Sequence, residues 1–263
     1  MSDWIREPGL EAGLGAPAEA ATLATLSGRM AAMVRDALYE GRLKPGDTLG
    51  TEKALAAAFG VSRMAARDAM KRLEAGGIVE IRVGAGGGAR IARGNPRMLA
   101  DALAVQLKLI GASVAEIMDA QRAVEAMTAE LAALHANEAD YKHLAALLDE
   151  AEARLDGDVD AYTRVSQAFH LAVAEASRNK VLKVQLISLQ HVAWPARNRT
   201  LTPEVARHIL SLHREIYVLL RARDATGARE LMSRHLMQIR ARRVAEAGAP
   251  VTGEAAEAET VCC

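Results

Sequence analysis

Aromatic residues are nearly missing from this chain: two Phe, two Trp and four Tyr stand among 263 residues. Ring packing therefore cannot organise the core, which must be filled by Ala, Leu, Val, Ile and Met. That palette leans helical, because Ala, Leu and Met are among the strongest helix formers. Cysteine is just as scarce. Cys262 and Cys263 are adjacent and terminal, so no disulfide framework is available and a reducing cytoplasm is the expected setting. The Cys-Cys end lacks a CaaX box and is expected to be part of a disordered tail over residues 247–263. No apolar run approaches the roughly 18 residues of a membrane span. Residues 1–25 are rich in Ala, Gly and Glu, with Trp4 among them. They lack the apolar centre of a signal peptide and are expected to form a disordered leader. Net charge is absent too, with 33 Lys+Arg against 33 Asp+Glu.

The distribution of charge says more than its sum. From Leu26 to Arg93 there are 12 Lys+Arg and 7 Asp+Glu, an excess of +5 that the rest of the chain offsets. A basic segment on a neutral chain points to a polyanion partner for that segment alone. Its order of elements is legible. "LSGRMAAMVRDALYE" (26–40) has a helical apolar period. "GRLKPGDTL" is a turn. Thr51 can cap a second helix, "EKALAAAF", which Gly60 stops. Ser62 can cap a third, "RMAARDAMKRLEA", which runs into Gly76 and Gly77. "IVEIRV" alternates as a strand, "GAGGG" turns and "ARIAR" returns. Three helices and a hairpin make a winged helix-turn-helix domain over residues 26–93.

The third helix carries Arg63, Arg67, Lys71 and Arg72 behind Ser62. Arg63 and Arg67 share a face near its start, where a recognition helix enters the major groove. The arginine fork can meet guanine O6 and N7 together, and the capped helix start suits a phosphate. A basic run is more often a solvated face. Here cap, arginine spacing, glycine stop and hairpin occur in sequence, and that order favours double-stranded DNA. The glycines of "GAGGG" do not make a nucleotide loop, since no helix follows them as a phosphate cradle requires.

The stretch "GRLKPGDTL…EKALAAAFGVSRMAARDAMKRLEAGGIVEIRVGAGGGARI" resembles the winged-helix regulators of the GntR family over residues 26–93. The resemblance implies that Arg63 and Arg67 contact DNA, that Ser62 contacts a phosphate, and that Gly84 stands at the wing tip. Lys53 stands where the family usually has an arginine. It keeps the charge and loses the bidentate fork.

After "GNPRM", read as a linker over residues 94–98, the chain is helical to residue 246 with about six or seven helices. Ser113 and Glu116 have capping-box spacing, and Thr202-Pro203 reads as a cap with proline at the first helical position. Three later helices each place one histidine in an apolar stripe: His170 with Ser166, Phe169 and Val173; His213 with Ile209, Leu212 and Ile216; His235 with Met232, Leu236 and Ile239. One such histidine is usually a satisfied core residue. Three on one bundle suit a metal ion with open positions for water or an anion. No HExxH helix, serine elbow or cysteine nucleophile accompanies them.

A GntR-type head followed by a helical domain of this length resembles the FadR subgroup with an FCD effector domain. The resemblance implies that His170, His213 and His235 bind a divalent metal such as Zn or Ni. It also implies a carboxylate at position 166, where this chain has Ser166. Some members lack metal and bind acyl-CoA. Arg122 and Glu125 match an Arg/Glu signature in which the arginine points to the effector. The alternative for them is an ordinary ion pair. Trp194 and Arg197 are candidates for the pocket wall. The expected protein is mostly α: a winged helix-turn-helix domain followed by an all-helical effector-binding and dimerisation domain over residues 99–246. It is expected to be a homodimeric cytoplasmic repressor of transcription that binds operator DNA and a small carboxylate and touches no membrane. The competing readings are a metal-dependent enzyme with a DNA-binding head, an acyl-CoA-type regulator, and a sensor of the metal ion itself.

Overall fold

The computed structural model describes residues 25–82, 84, 87–155, 157, 159–193 and 201–248. They form two compact units that part between Met98 and Leu99. The first holds α1 (Leu26–Tyr39), β1 (Thr48–Gly50), α2 (Glu52–Phe59), α3 (Arg63–Ala75), β2 (Val79–Arg82) and β3 (Gly88–Ile91). Thr51 and Ser62 cap α2 and α3 as their positions predict: the Ala54 and Ala65 N–H groups donate to their hydroxyls at 3.2 and 3.1 Å. Thr25 caps α1 in the same way. The strands form an antiparallel sheet in the order β1-β3-β2, with Val79 opposite Ile91 and Arg82 opposite Gly88. The sequence indicated only the β2–β3 hairpin. Three-residue β1 is too short for an alternating pattern, and it is held by pairing with β3. Gly88 makes that pairing possible: at φ +138, a Cβ there would lie 2.6 Å from the Gly50 carbonyl oxygen. Met30, Val34, Leu55, Met70, Leu73, Val79 and Ile91 fill the core beneath.

The helices that follow are α4 (Pro96–Leu109), α5 (Val114–His135), α6 (Glu138–Ala153), α7 (Val159–Ala176), α8 (Lys180–Ala193), α9 (Pro203–Arg221) and α10 (Ala225–Gly248). Helix α4 begins inside the stretch expected to be a linker. Pro96 suits a first helical position, and the Arg97 N–H donates to Asn95 Oδ1 at 3.0 Å, as a cap requires. At the other end, α10 continues two residues past 246. Cys262, Cys263, Trp4, Trp194 and Arg197 lie outside the described residues.

Why the second unit packs without aromatic bulk is visible on α5. Ala126, Ala129, Ala132 and Ala133 are buried there, and α10 lies along them. Small side chains let two helix backbones approach closely. Arg229–Glu130 and Arg240–Asp119 pairs, each at 2.9 Å, flank the seam. Two of the few aromatics lock the helices by polar tips. Tyr141 donates to the Leu220 carbonyl at 3.1 Å and Tyr162 to that of Ala206 at 2.8 Å. Arg223 donates to the carbonyls of Ala133, Leu134 and Ala136, satisfying the end of α5. This frame holds α7, α9 and α10 together where their histidines meet.

Candidate metal centre and nucleic-acid interface

His170 on α7, His213 on α9 and His235 on α10 converge in the interior of the helical unit. Their candidate ligand atoms all lie within 4.8 Å of one another, and they are 6%, 1% and 1% exposed. The Nε2 atoms of His213 and His235 are 3.0 Å apart. The rings of His170 and His235 are nearly parallel, with centroids 5.4 Å apart, and His213 stands edge-on to both. Phe169 stacks on His213 at 4.4 Å and fixes that ring's plane. Facing nitrogens at this separation suit a shared hydrogen bond or a shared cation. Imidazole nitrogens are good ligands for either zinc or nickel, so the residues present fit a divalent ion.

Electrostatics prepare these rings for ligation. Burial, then the charge of neighbouring His170, holds His213 well below the ordinary histidine pKa; His235 sits beside it. For His235 the causes are burial first, then His170, Arg242 and His208. Both rings are thus neutral near pH 7, each with one unprotonated nitrogen, which is the state a metal takes. The same shift makes the metal-free protein sensitive to acid. The unfolded chain gains protons on these histidines below about pH 6.5, while the folded chain resists them. Stability is therefore full above that range and is lost as pH falls toward the depressed folded values. Metal-stripped protein is expected to show a lower urea midpoint at pH 5.5 than at pH 7.5, and His213→Asn/His235→Asn should flatten that dependence.

Ser166 and Glu125 take places that the sequence did not assign them. Ser166 lines the same cavity as His170, so the position expected to offer a carboxylate carries a hydroxyl on the wall of that cavity. The carboxylate comes from elsewhere. Glu125 on α5 is 0% exposed, its Oε2 contacts His170 Nδ1, and its Oε1 accepts from Gln121 Nε2 at 2.6 Å. Arg122 is not brought to the histidines. It lies 4.0 Å from Asp119 and lines a separate cleft with Arg229 and Arg234.

The cavity beside His170 holds about 30 Å³ among the described residues. Its wall includes Thr163, Ser166, Gln190, Arg242 and Arg243. One terminal nitrogen of Arg242, the Thr163 hydroxyl and Gln121 Oε1 are buried without a hydrogen-bond partner among the described residues. Burial disfavours the Arg242 charge and lowers its pKa. An anion in the cavity would relieve that cost. Arg242 follows His235 by seven residues and Ile239 by three, so it continues the buried stripe of α10. That spacing was the available signal for it.

In the first unit, Ser62, Arg63 and Arg67 lie at the start of α3, all exposed, and Lys53 is exposed on α2. Arg67 Nε is 3.5 Å from Glu52 Oε1, an exposed pair. Ser62 uses its oxygen lone pair as the cap, which leaves its O–H to donate. Gly84, at φ +109 with nothing within 4 Å of a would-be Cβ, stands open between β2 and β3.

The family model "Bacterial regulatory proteins, gntR family" matches residues 26–88 of this chain, and "FCD domain" matches residues 116–238. The putative L-lactate dehydrogenase operon regulatory protein of Escherichia coli (strain K12) is 33% identical over 220 residues, 80% of this chain and 83% of that protein. The transcriptional regulator LutR of Bacillus subtilis (strain 168) is 34% identical over 146 residues, 56% of this chain and 65% of that protein. The Uxu operon transcriptional regulator of E. coli is 28% identical over 222 residues, 80% of this chain and 84% of that protein. Among solved structures, Streptococcus agalactiae GntR superposes with a TM-score of 0.62 at 21% identity, covering 82% of this chain and 99% of that one. That likeness concerns the fold.

Proposed function

Because the chain belongs to the GntR family of bacterial transcription regulators and carries an FCD effector domain, we propose that it is a homodimeric repressor released from its operator by a small carboxylate. It is a regulator and not an enzyme. No described helix is long and apolar enough to cross a membrane. The observation that carries the reading is the shared cavity: His170 and the partly buried Arg242 line one small space. A bound divalent ion would act there as a Lewis acid for a ligand oxygen. Arg242 would hold a carboxylate by charge-assisted hydrogen bonds, with the Thr163 hydroxyl as a further polar contact. A space of about 30 Å³ equals roughly two or three waters by the one-probe measure. It favours an acid of a few heavy atoms over an acyl-CoA. The relatives' regulation of an L-lactate dehydrogenase operon makes L-lactate the first probe.

On the DNA side, Arg63 and Arg67 read bases, Ser62 and Lys53 hold phosphates, and Gly84 lets the wing approach the backbone. Leu99, Val105 and Leu109 of α4 and Ile110 just after it are 51–73% exposed, which suits cover by a second copy. Effector shifts the population between two placements of the paired heads, and half-site spacing then fits or fails. Thermal melting with L-lactate tests the pocket: zinc-loaded protein should rise in Tm, and Arg242→Ala protein should not. An equal rise in both would reject the assignment of Arg242.

A further inference from the structure

His170 is the histidine of the cluster with a buried carboxylate behind it. Glu125 contacts its Nδ1 and is steered by Gln121 from the same helix. A carboxylate taken fully out of water needs a cation close by. Histidines that bind metals nearly always give their second N–H to a carboxylate or carbonyl, which fixes tautomer and ring plane and raises ligand basicity. With Nδ1 engaged by Glu125, Nε2 is the nitrogen of His170 left for an ion.

Ser166 sits one turn before His170 on α7 and lines the same cavity. A carboxylate there would fill a coordination position and bring a negative charge. A neutral hydroxyl brings no charge and binds weakly. Resting on the metal reading above, we propose that Glu125 is a positioning residue that supplies the site's negative charge from outside the coordination sphere, behind His170. The Ser166 side stays open for an oxygen of the effector. The centre is then a three-histidine site with one more exchangeable position than a site with aspartate at 166. Such a site favours acids that present two adjacent oxygens, as a 2-hydroxy acid does.

Cobalt(II) tests this on the full chain, because its visible absorption reports both affinity and coordination number. Metal-stripped protein is titrated against a competing chelator. Glu125→Gln should weaken Co(II) binding by about 10–100-fold with unchanged far-UV circular dichroism. Ser166→Asp should tighten binding by at least about tenfold and lower the absorption per ion, as an added ligand does. L-lactate should change the wild-type cobalt spectrum and leave that of Ser166→Asp nearly unaltered. Wild-type affinity in Glu125→Gln, or no gain in Ser166→Asp, overturns the proposal while the metal reading stands. Failure of the wild-type chain to take up Co(II) overturns both. Should Glu125→Gln not fold, the Ser166→Asp arm decides alone.

Discussion

Protein carrying His213→Ala is expected to purify without metal and to lose its response to L-lactate. His213 is placed to serve as a central ligand: its Nε2 meets that of His235 at 3.0 Å, and its ring is stacked on Phe169. Removing an outer partner of a metal ligand costs about 10–100-fold in affinity. Removing the ligand itself must cost more, so the expected loss exceeds a hundredfold. Elemental analysis of dialysed protein and a Co(II) titration measure it. The truncation also leaves a cavity in a fully buried place, so stability should fall by about 2–4 kcal/mol. His213→Gln fills more of that space and separates the two effects. If the glutamine variant is stable and still metal-loaded, His213 is packing and not ligation. Operator binding itself should survive, because the first unit has its own core.

The second large effect lies on α3. Arg63→Ala and Arg67→Ala should each weaken binding to the cognate operator by about 1–3 kcal/mol, or about 5–150-fold at fixed salt. To contact a base, Arg67 would give up its 3.5 Å pairing with Glu52. That exposed pair is worth little, so its loss should not mask the effect. Lys53→Ala should behave differently. It removes a phosphate contact, so binding should weaken uniformly across sequences and the salt slope should fall by about one. Fluorescence anisotropy with operator and scrambled duplexes at several salt concentrations distinguishes these outcomes. Arginine variants that bind both duplexes as the wild type does would remove α3 from the interface.

The parts of this protein that follow from short-range rules were legible in the sequence. Thr51, Ser62, Ser113 and Thr202 all cap the helices their positions indicate, since a cap depends on residues three apart. The convergence of His170, His213 and His235 was legible as three separate stripes. The sequence also placed Ser166 on the cavity side, because residues four apart on a helix share a face. What escaped was long-range. Glu125 reads in the sequence either as part of an Arg/Glu signature or as an ion-pair partner of Arg122, three residues away, yet it lies on the Met118–Ala129 face of α5 and points inward. Only the packing of α5 against α7 reveals that it meets His170, 45 positions later in the chain. Arg242 was hidden in the basic run "RARRVAEA", where charge suggests solvent. Strand β1 is too short to show an alternating pattern, whereas the Asn137–Asp140 capping box of α6 is a local signal that the sequence does carry.

A carboxylate in the cavity beside His170 is expected to change the affinity of α3 for DNA. Any such coupling is reciprocal in free energy. The most direct measurement is the equilibrium affinity of zinc-loaded protein for an operator duplex selected from genomic fragments, with L-lactate and other short 2-hydroxy acids titrated in. At least one of these acids should weaken operator binding tenfold or more. Chelation of the zinc or Arg242→Ala should abolish the effect, and operator DNA should lower the acid's affinity by the same factor. A response of equal size in zinc-free protein, or no response to any of the acids in zinc-loaded protein, would contradict this coupling.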